Sequence, residues 1–399
     1  SNSLSAFLNI TFLLSKIESL KARTELLTGL NKVVSTKVYL NIKPAQWFPI
    51  NNQLNTVANK ISRQLDTCTD SYLIYADDER QKSKLINVLG EIELQLSQAC
   101  NFYDTYIDEI AADGLKHEYL TSVTKNPIVY CDRGFGASIL REGVTLAKTV
   151  NPVAFIAIPY SRLAEKYNLI SIYHEVGHQA LYKLDLVEPF RQVFSLSAKN
   201  AGANQLLQNM LANWSKEIIP DFWAFVHTGM GQTSSIRDVL LVPQAMALSI
   251  SPYQQHPPPY LRFLISVEWC RFLWGRGDWD EWAEEWETFY PVEYLDKATK
   301  EIILQAKKIL PNIARATITT RFKKLSNKTI ATFFDMESIS PGNLLKCKNK
   351  DHLLNQSIGV QLSAFRLIRD KNNMPIAKLN AILNSWLINL STQNNYNHN

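Results

Sequence analysis

Residues 167–184, YNLISIYHEVGHQALYKL, constrain the fold more than any other stretch of the 399-residue chain. Apolar side chains stand at 169, 170, 172, 173, 176, 180, 181 and 184, the three-and-four spacing of a helix that buries one face. That helix carries His174 and His178 four residues apart. Side chains at this spacing lie one above the other, with Cβ atoms about 5–6 Å apart. Clustered imidazoles are costly to bury without a partner.

A metal ion is the partner that fits. Two imidazoles so placed can both reach one zinc ion, whose nitrogen ligands sit at about 2.0–2.1 Å. Glu175 then projects beside the ion, where it can take a proton from a zinc-bound water of pKa about 7. Gly177 keeps the helix slender between the histidines, at a modest cost in helix propensity. With seven histidines in the chain, an HExxH pattern arises by chance in fewer than about one such sequence in a hundred.

Elsewhere the pattern is also mostly helical. Fourteen glycines and a hydrophobic share of 46% argue against a turn-rich all-β design and for a globular chain with a sizeable core. Residues 1–122 repeat apolar positions at helical spacing, as in KSKLINVLGEIELQLSQAC, and read as a helical N-terminal domain. NPIVYCDR and NPVAFIAIPYS read as short strands. Between them Gly134-Phe135-Gly136 reads as a turn, lacking the glycines and lysine of a phosphate loop, and ASILREGVTLAKTV reads as helical or irregular. The expected fold is α+β and predominantly helical, with a small sheet in a domain at 123–296. A basic helical region at 297–390 and a disordered tail at 391–399 follow.

Two charge blocks adjoin. Residues 264–296 interleave five tryptophans with nine acids against two arginines, an acidic helix pair packed on its Trp face. Residues 297–350 hold twelve basic side chains against three acids, and are expected to present a solvated face or to dock the acidic block. A nucleic-acid surface is the alternative, though no recognition motif accompanies the charge. Five scattered cysteines with no CxxC pair fit a reducing compartment. SNSLSAFLNITFLL makes a poor signal peptide, and no segment reaches the 18 or so apolar residues of a membrane span. The expected location is cytoplasmic, with a removed export signal left open, and the oligomeric state is open too.

A catalytic zinc wants three protein ligands and an open position. Position 184, where a third histidine could stand, is leucine, and Asp185 and Glu188 lie too far down the helix. WSKEIIPDFWAFVH offers Glu217, with Asp221 four residues later on the same face. One carboxylate can bind the ion while the other accepts the outer N–H of a ligating histidine. Pro220, between them, is expected to kink that helix unless it falls in its first turn.

HEVGH followed by Glu217-Ile-Ile-Pro-Asp221 resembles the gluzincin group of zinc metallopeptidases, the thermolysin-like catalytic core, over about residues 150–262. The resemblance implies a zincin-like core with one zinc held by His174, His178 and Glu217. It implies Glu175 as general base, Asp221 orienting a histidine, and a peptide or protein substrate. The strand VAFIAIPYS resembles the edge strand on which such enzymes lay a peptide. In HPPPYLRF the prolines fix a turn before a helix and direct His256, Tyr260 and Arg262. Such sites use a His or Tyr to steady the oxyanion, which favours His256, then Tyr260. His117 and His227 have no motif around them and read as structural. The competing class is a zincin-fold binding or scaffold protein without chemistry, which would have no need of Glu175.

Overall fold

The computed structural model describes residues 105–387 with short breaks, together with positions 59 and 63. Of the expected N-terminal helical domain, 1–122, the residues before 105 lie outside the described ones apart from positions 59 and 63, and its end holds α1 (Thr105–Gly114). The tail at 391–399 lies outside them too, as do Gly134, Phe135, Cys68, Cys100 and Cys347. Thr105–Val129 and Gly134–Thr392 form one compact unit, so α1 and the basic segment from 297 belong to the same unit as the HEVGH helix. The described part is mostly helical with a small sheet. Among its residues no helix is long and apolar enough to cross a membrane.

The strands are β1 (Ile128–Asp132), β2 (Ser138–Leu140), β3 (Thr145–Leu146), β4 (Thr149–Val150) and β5 (Phe155–Pro159). The first sheet has the order β1-β5-β2, and β3 pairs with β4 alone. Two expectations are corrected here. The stretch 137–150, expected to be helical or irregular, holds no helix among its described residues but the short strands β2, β3 and β4 joined by turns: the apolar positions at 139, 140, 144 and 146 imitate helical spacing, and each strand is too short to show alternation. Moreover, β5 is the central strand, not the edge. Its run FIAIP is buried from Ile156 to Pro159, as a short continuous apolar run predicts. The outer strands are β1 and β2, the second paired antiparallel to β5 with Ser138 opposite Ala157 and Leu140 opposite Phe155.

The HEVGH stretch lies on α2 (Ser171–Lys183). Asp185 takes a left-handed φ of 53° just beyond its end, where the N–H of Leu186 donates to the Leu181 carbonyl at 3.0 Å and that of Asp185 to Tyr182 at 3.1 Å. This paired closure turns the chain directly into α3 (Val187–Asn200). Helix α4 (Gln205–Thr228) returns alongside, capped by Asn204, whose side chain accepts the Leu207 N–H at 2.9 Å. It runs without interruption through Pro220. The missing N–H costs one helical hydrogen bond, but burial of Ile218, Ile219, Phe222 and Trp223 holds the helix on both sides.

Helix α5 (Met230–Val239), α6 (Gln244–Ala247) and α7 (Pro259–Trp274) follow, the last with proline in its first turn. On α8 (Asp278–Phe289) Trp279, Trp282 and Trp286 are buried and Glu281, Glu284 and Glu285 exposed. Helix α9 (Lys297–Thr319) carries the first part of the basic block. It meets the acidic one through Lys307 and Glu287 at 2.7 Å, and Arg315 lies over the Phe272 ring at 5.6 Å.

After α10 (Pro341–Lys346), α11 (Ile358–Lys371) drives Arg366 into the core. That guanidinium donates to Ser234 Oγ and Asn168 Oδ1 at 2.7 Å each and pairs with Asp238 at 2.9 Å. It thereby fixes the turn from which α2 starts.

Candidate metal centre

Helix α2 can bring its histidines to α4 only because Gly177 faces Pro220. A Cβ built on Gly177 would stand 2.9 Å from Pro220 Cα and 3.1 Å from its carbonyl oxygen. Both obstacles are backbone, so no side chain can swing away to make room. The glycine in HEVGH therefore sets how near Glu217 comes to the histidines.

At that separation His174 Nε2 and His178 Nε2 are 3.2 Å apart, and Glu217 Oε2 stands 3.5 Å from the first and 3.8 Å from the second. A tetrahedral ion with N and O ligands at about 2.0–2.2 Å spaces its donors about 3.3–3.6 Å apart. The three atoms thus form one near-regular face of such a tetrahedron, and the cluster can hold one metal ion. Among the described residues it is the only group of three or more His, Cys, Asp or Glu side chains so arranged.

The surroundings fix the ligands. Asp221, one turn beyond Glu217, lies 2.7 Å from His174 Nδ1 and is 1% exposed. A proton on Nδ1 directs the lone pair of Nε2 toward the ion. Arg262 on α7 forks onto the same carboxylate, Nε to Oδ2 at 2.5 Å and Nη2 to Oδ1 at 2.8 Å. Its Nη2 also stands 3.1 Å from Nδ1 and 3.3 Å from Nε2 of His174. The lone pairs of those two nitrogens diverge, so the guanidinium lies against the ring rather than bonding along both.

No family model, curated protein or solved structure matches this chain. Its geometry alone must therefore carry a functional reading.

Of the other predicted residues, Glu175 is buried and lines the same cavity, of about 820 Å³, as His174, His178 and Glu217. Burial pushes its carboxyl pKa up, against the pull of His174 and Arg262. His256 stands at the cavity rim with its side chain 67% exposed and Nδ1 3.4 Å from Glu217 Oε2. Tyr260 is the exception. It is buried, does not line the cavity, and its pKa is raised by burial and by Glu287 and Glu293. Two residues on a helix differ by about 200°, so a turn that aims Arg262 at Asp221 aims Tyr260 toward α8. His117 packs against Trp223 and Phe333, and His227 against Tyr173 and Phe334. Burial pushes the His227 pKa down to about 4.

Sequence reasoning missed the cavity-lining residues Arg162, Ser171 and Gln232, none of which carries a motif. It also missed that the cavity wall runs along β2, at Ser138 and Ile139.

The centre has a defined response to pH. With no ion bound, burial works against a charge on His174, but the Asp221 carboxylate outweighs it and pushes the pKa up to about 9. Burial and the neighbouring His174 push His178 down to about 3. Near neutrality His178 is therefore ready to bind while His174 must first lose a proton. Metal binding at pH 7 is expected to release about one proton per ion, with affinity rising about tenfold per pH unit up to about pH 9. Calorimetric titration with zinc in buffers of different ionisation enthalpy measures this directly. A heat independent of buffer would show that His174 was never protonated.

Proposed function

We propose that the chain is a zinc-dependent metallopeptidase built on a zincin-like core, cleaving an amide bond in a peptide laid along the edge strand β2. One observation carries the reading. Three donor atoms at tetrahedral spacing share a cavity with a buried carboxylate, Glu175, that supplies none of them. A site that only held a metal would have no use for that carboxylate at such a desolvation cost.

Zinc, when bound, supplies a Lewis acid and lowers the pKa of coordinated water to about 7. The chain's own groups do the rest. Glu175, its proton affinity raised by burial, removes a proton from the attacking water and returns it to the leaving nitrogen. Asp221 keeps the His174 proton on Nδ1 at 2.7 Å, and Arg262 keeps Asp221 ionised and in place. His256, whose proton affinity the neighbouring Glu217 raises, donates to the developing oxyanion from the cavity rim. The backbone of Ser138–Leu140 pairs with the substrate backbone.

Purified protein is expected to contain one zinc per chain and to cleave unstructured peptides, and His178→Ala to lose both properties. Metal analysis and peptide mass spectrometry read the two. Wild-type protein without stoichiometric zinc would overturn the reading. Zinc with no cleavage of any peptide would instead favour a binding protein on the same fold.

A further inference from the structure

The cavity beside the histidine pair is walled on one side by β2, which packs against α2. Ala137, Ile139 and Arg141 line it and Leu140 does not, the alternation of a strand that turns every second side chain to one face. Arg141 therefore stands on the row that faces the cavity, immediately beyond the last residue of β2.

Its backbone is fixed there. The Arg141 carbonyl accepts from Asn151 Nδ2 at 2.9 Å, and the N–H of Gly143 donates to the Asn151 carbonyl at 2.8 Å. Its side chain is held as well. The guanidinium Cζ lies 4.7 Å from the centre of the Tyr182 ring on α2, a cation over an aromatic face. Yet no hydrogen bond or ion pair joins this guanidinium to any described residue. The adjacent acid, Glu142, is engaged elsewhere, by Lys183 at 3.1 Å and by the Thr124 hydroxyl at 3.1 Å.

The other charges lining the cavity have different settings. Glu175, Glu217 and Asp221 lie at the histidine pair, Arg262 is bound to Asp221, and Arg162 Nε donates to Ser171. Lys216 is exposed on α4, on a flexible stem with no aromatic ring against it. Arg141 alone combines a fixed position with a fork of N–H donors that meets no acceptor among the described residues.

We propose that Arg141 is a specificity-determining residue, receiving the carboxylate of an Asp or Glu side chain in a peptide laid along β2. This rests on the peptidase reading for the peptide's being a substrate, but not for its binding. The planar fork of an arginine matches the two oxygens of a carboxylate. Tyr182 is the positioning residue: a side chain already held against a ring loses less freedom when its ligand arrives. Tyr182 lies one turn past His178, about 6 Å along the axis, and an extended peptide advances about 3.3 Å per residue. The acidic residue therefore falls about two to three positions from the scissile bond.

The test separates binding from turnover. Peptides of equal length, blocked at both ends so that no terminal carboxylate remains, carry either glutamine throughout or a single glutamate moved residue by residue. They are titrated by calorimetry into the zinc-loaded full chain bearing Glu175→Gln, with mass spectrometry showing that they stay intact. Glutamate at its best position is expected to bind about tenfold or more tightly than glutamine. That ratio is expected to fall below about threefold in Arg141→Met and to weaken in Tyr182→Leu, which serves if the first variant does not fold. It is expected to survive in Tyr182→Phe, which keeps the ring, and in Lys216→Met.

Equal binding of all the peptides, a preference that survives Arg141→Met, or one lost in Lys216→Met instead, overturns the assignment. A preference that holds while the zinc-loaded parent cleaves none of these peptides leaves the subsite standing and removes the peptidase reading. Cleavage without any preference does the reverse.

Discussion

Glu175→Gln is expected to lower peptide turnover by about 10³- to 10⁴-fold, the upper part of the range for a lost general base, while the protein keeps one zinc per chain. The substitution preserves shape in a buried position and removes only the ability to accept a proton. Three other side chains supply the donor atoms, so metal content should not change. Burial raises the Glu175 pKa, which makes the carboxylate a better base once the centre is loaded and gives the substitution its large effect. Metal analysis and kcat on one fluorogenic peptide, measured on the same preparation, decide it. Loss of zinc would make Glu175 a ligand, and activity within tenfold of the parent would remove it from the chemistry.

Much of this centre is legible in the sequence because its grammar is local. His174, Glu175 and His178 fall on one helical face by spacing alone, and so do Glu217 and Asp221. The pairing of those two faces is also accessible, since a metal needs a third ligand and α4 offers a carboxylate with a supporting acid. What spacing cannot give is the reason the helices meet. Gly177 and Pro220 each read as a local defect, one weakening a helix and the other kinking it. In the structure they face each other at 2.9 Å from a built Cβ, and the two defects together form the contact that closes the centre.

The sheet is less legible. Ser138–Leu140 is three residues long, too short for a period of two to appear, whereas Phe155–Pro159 looks like a strand but reveals nothing of its neighbours. Arg162, Gln232 and Arg366 are illegible for a different reason. An isolated polar residue acquires meaning only from what packs around it, and Arg366 meets Asn168 across 198 positions of sequence.

Arg262→Met is expected to destabilise the metal-free protein by about 3–5 kcal/mol, the cost of stripping one partner from a buried ion pair. Asp221 is 1% exposed and takes both of its strong contacts on one side from Arg262, at 2.5 and 2.8 Å. Burial raises its pKa and Arg262 is the first of the groups that bring it back down. Without the arginine, only His174 remains to hold the charge.

The double variant Arg262→Met/Asp221→Leu should recover most of that stability, because an apolar pair of similar volume leaves no stranded charge. Its zinc affinity should nonetheless stay about 10- to 100-fold below the parent, the usual cost of losing the group that orients a ligating histidine. Urea unfolding with a chelator present measures the first quantity and competitive zinc titration the second. Recovery of both together would mean that Asp221 serves only to neutralise Arg262. Recovery of stability alone assigns the carboxylate to the His174 proton.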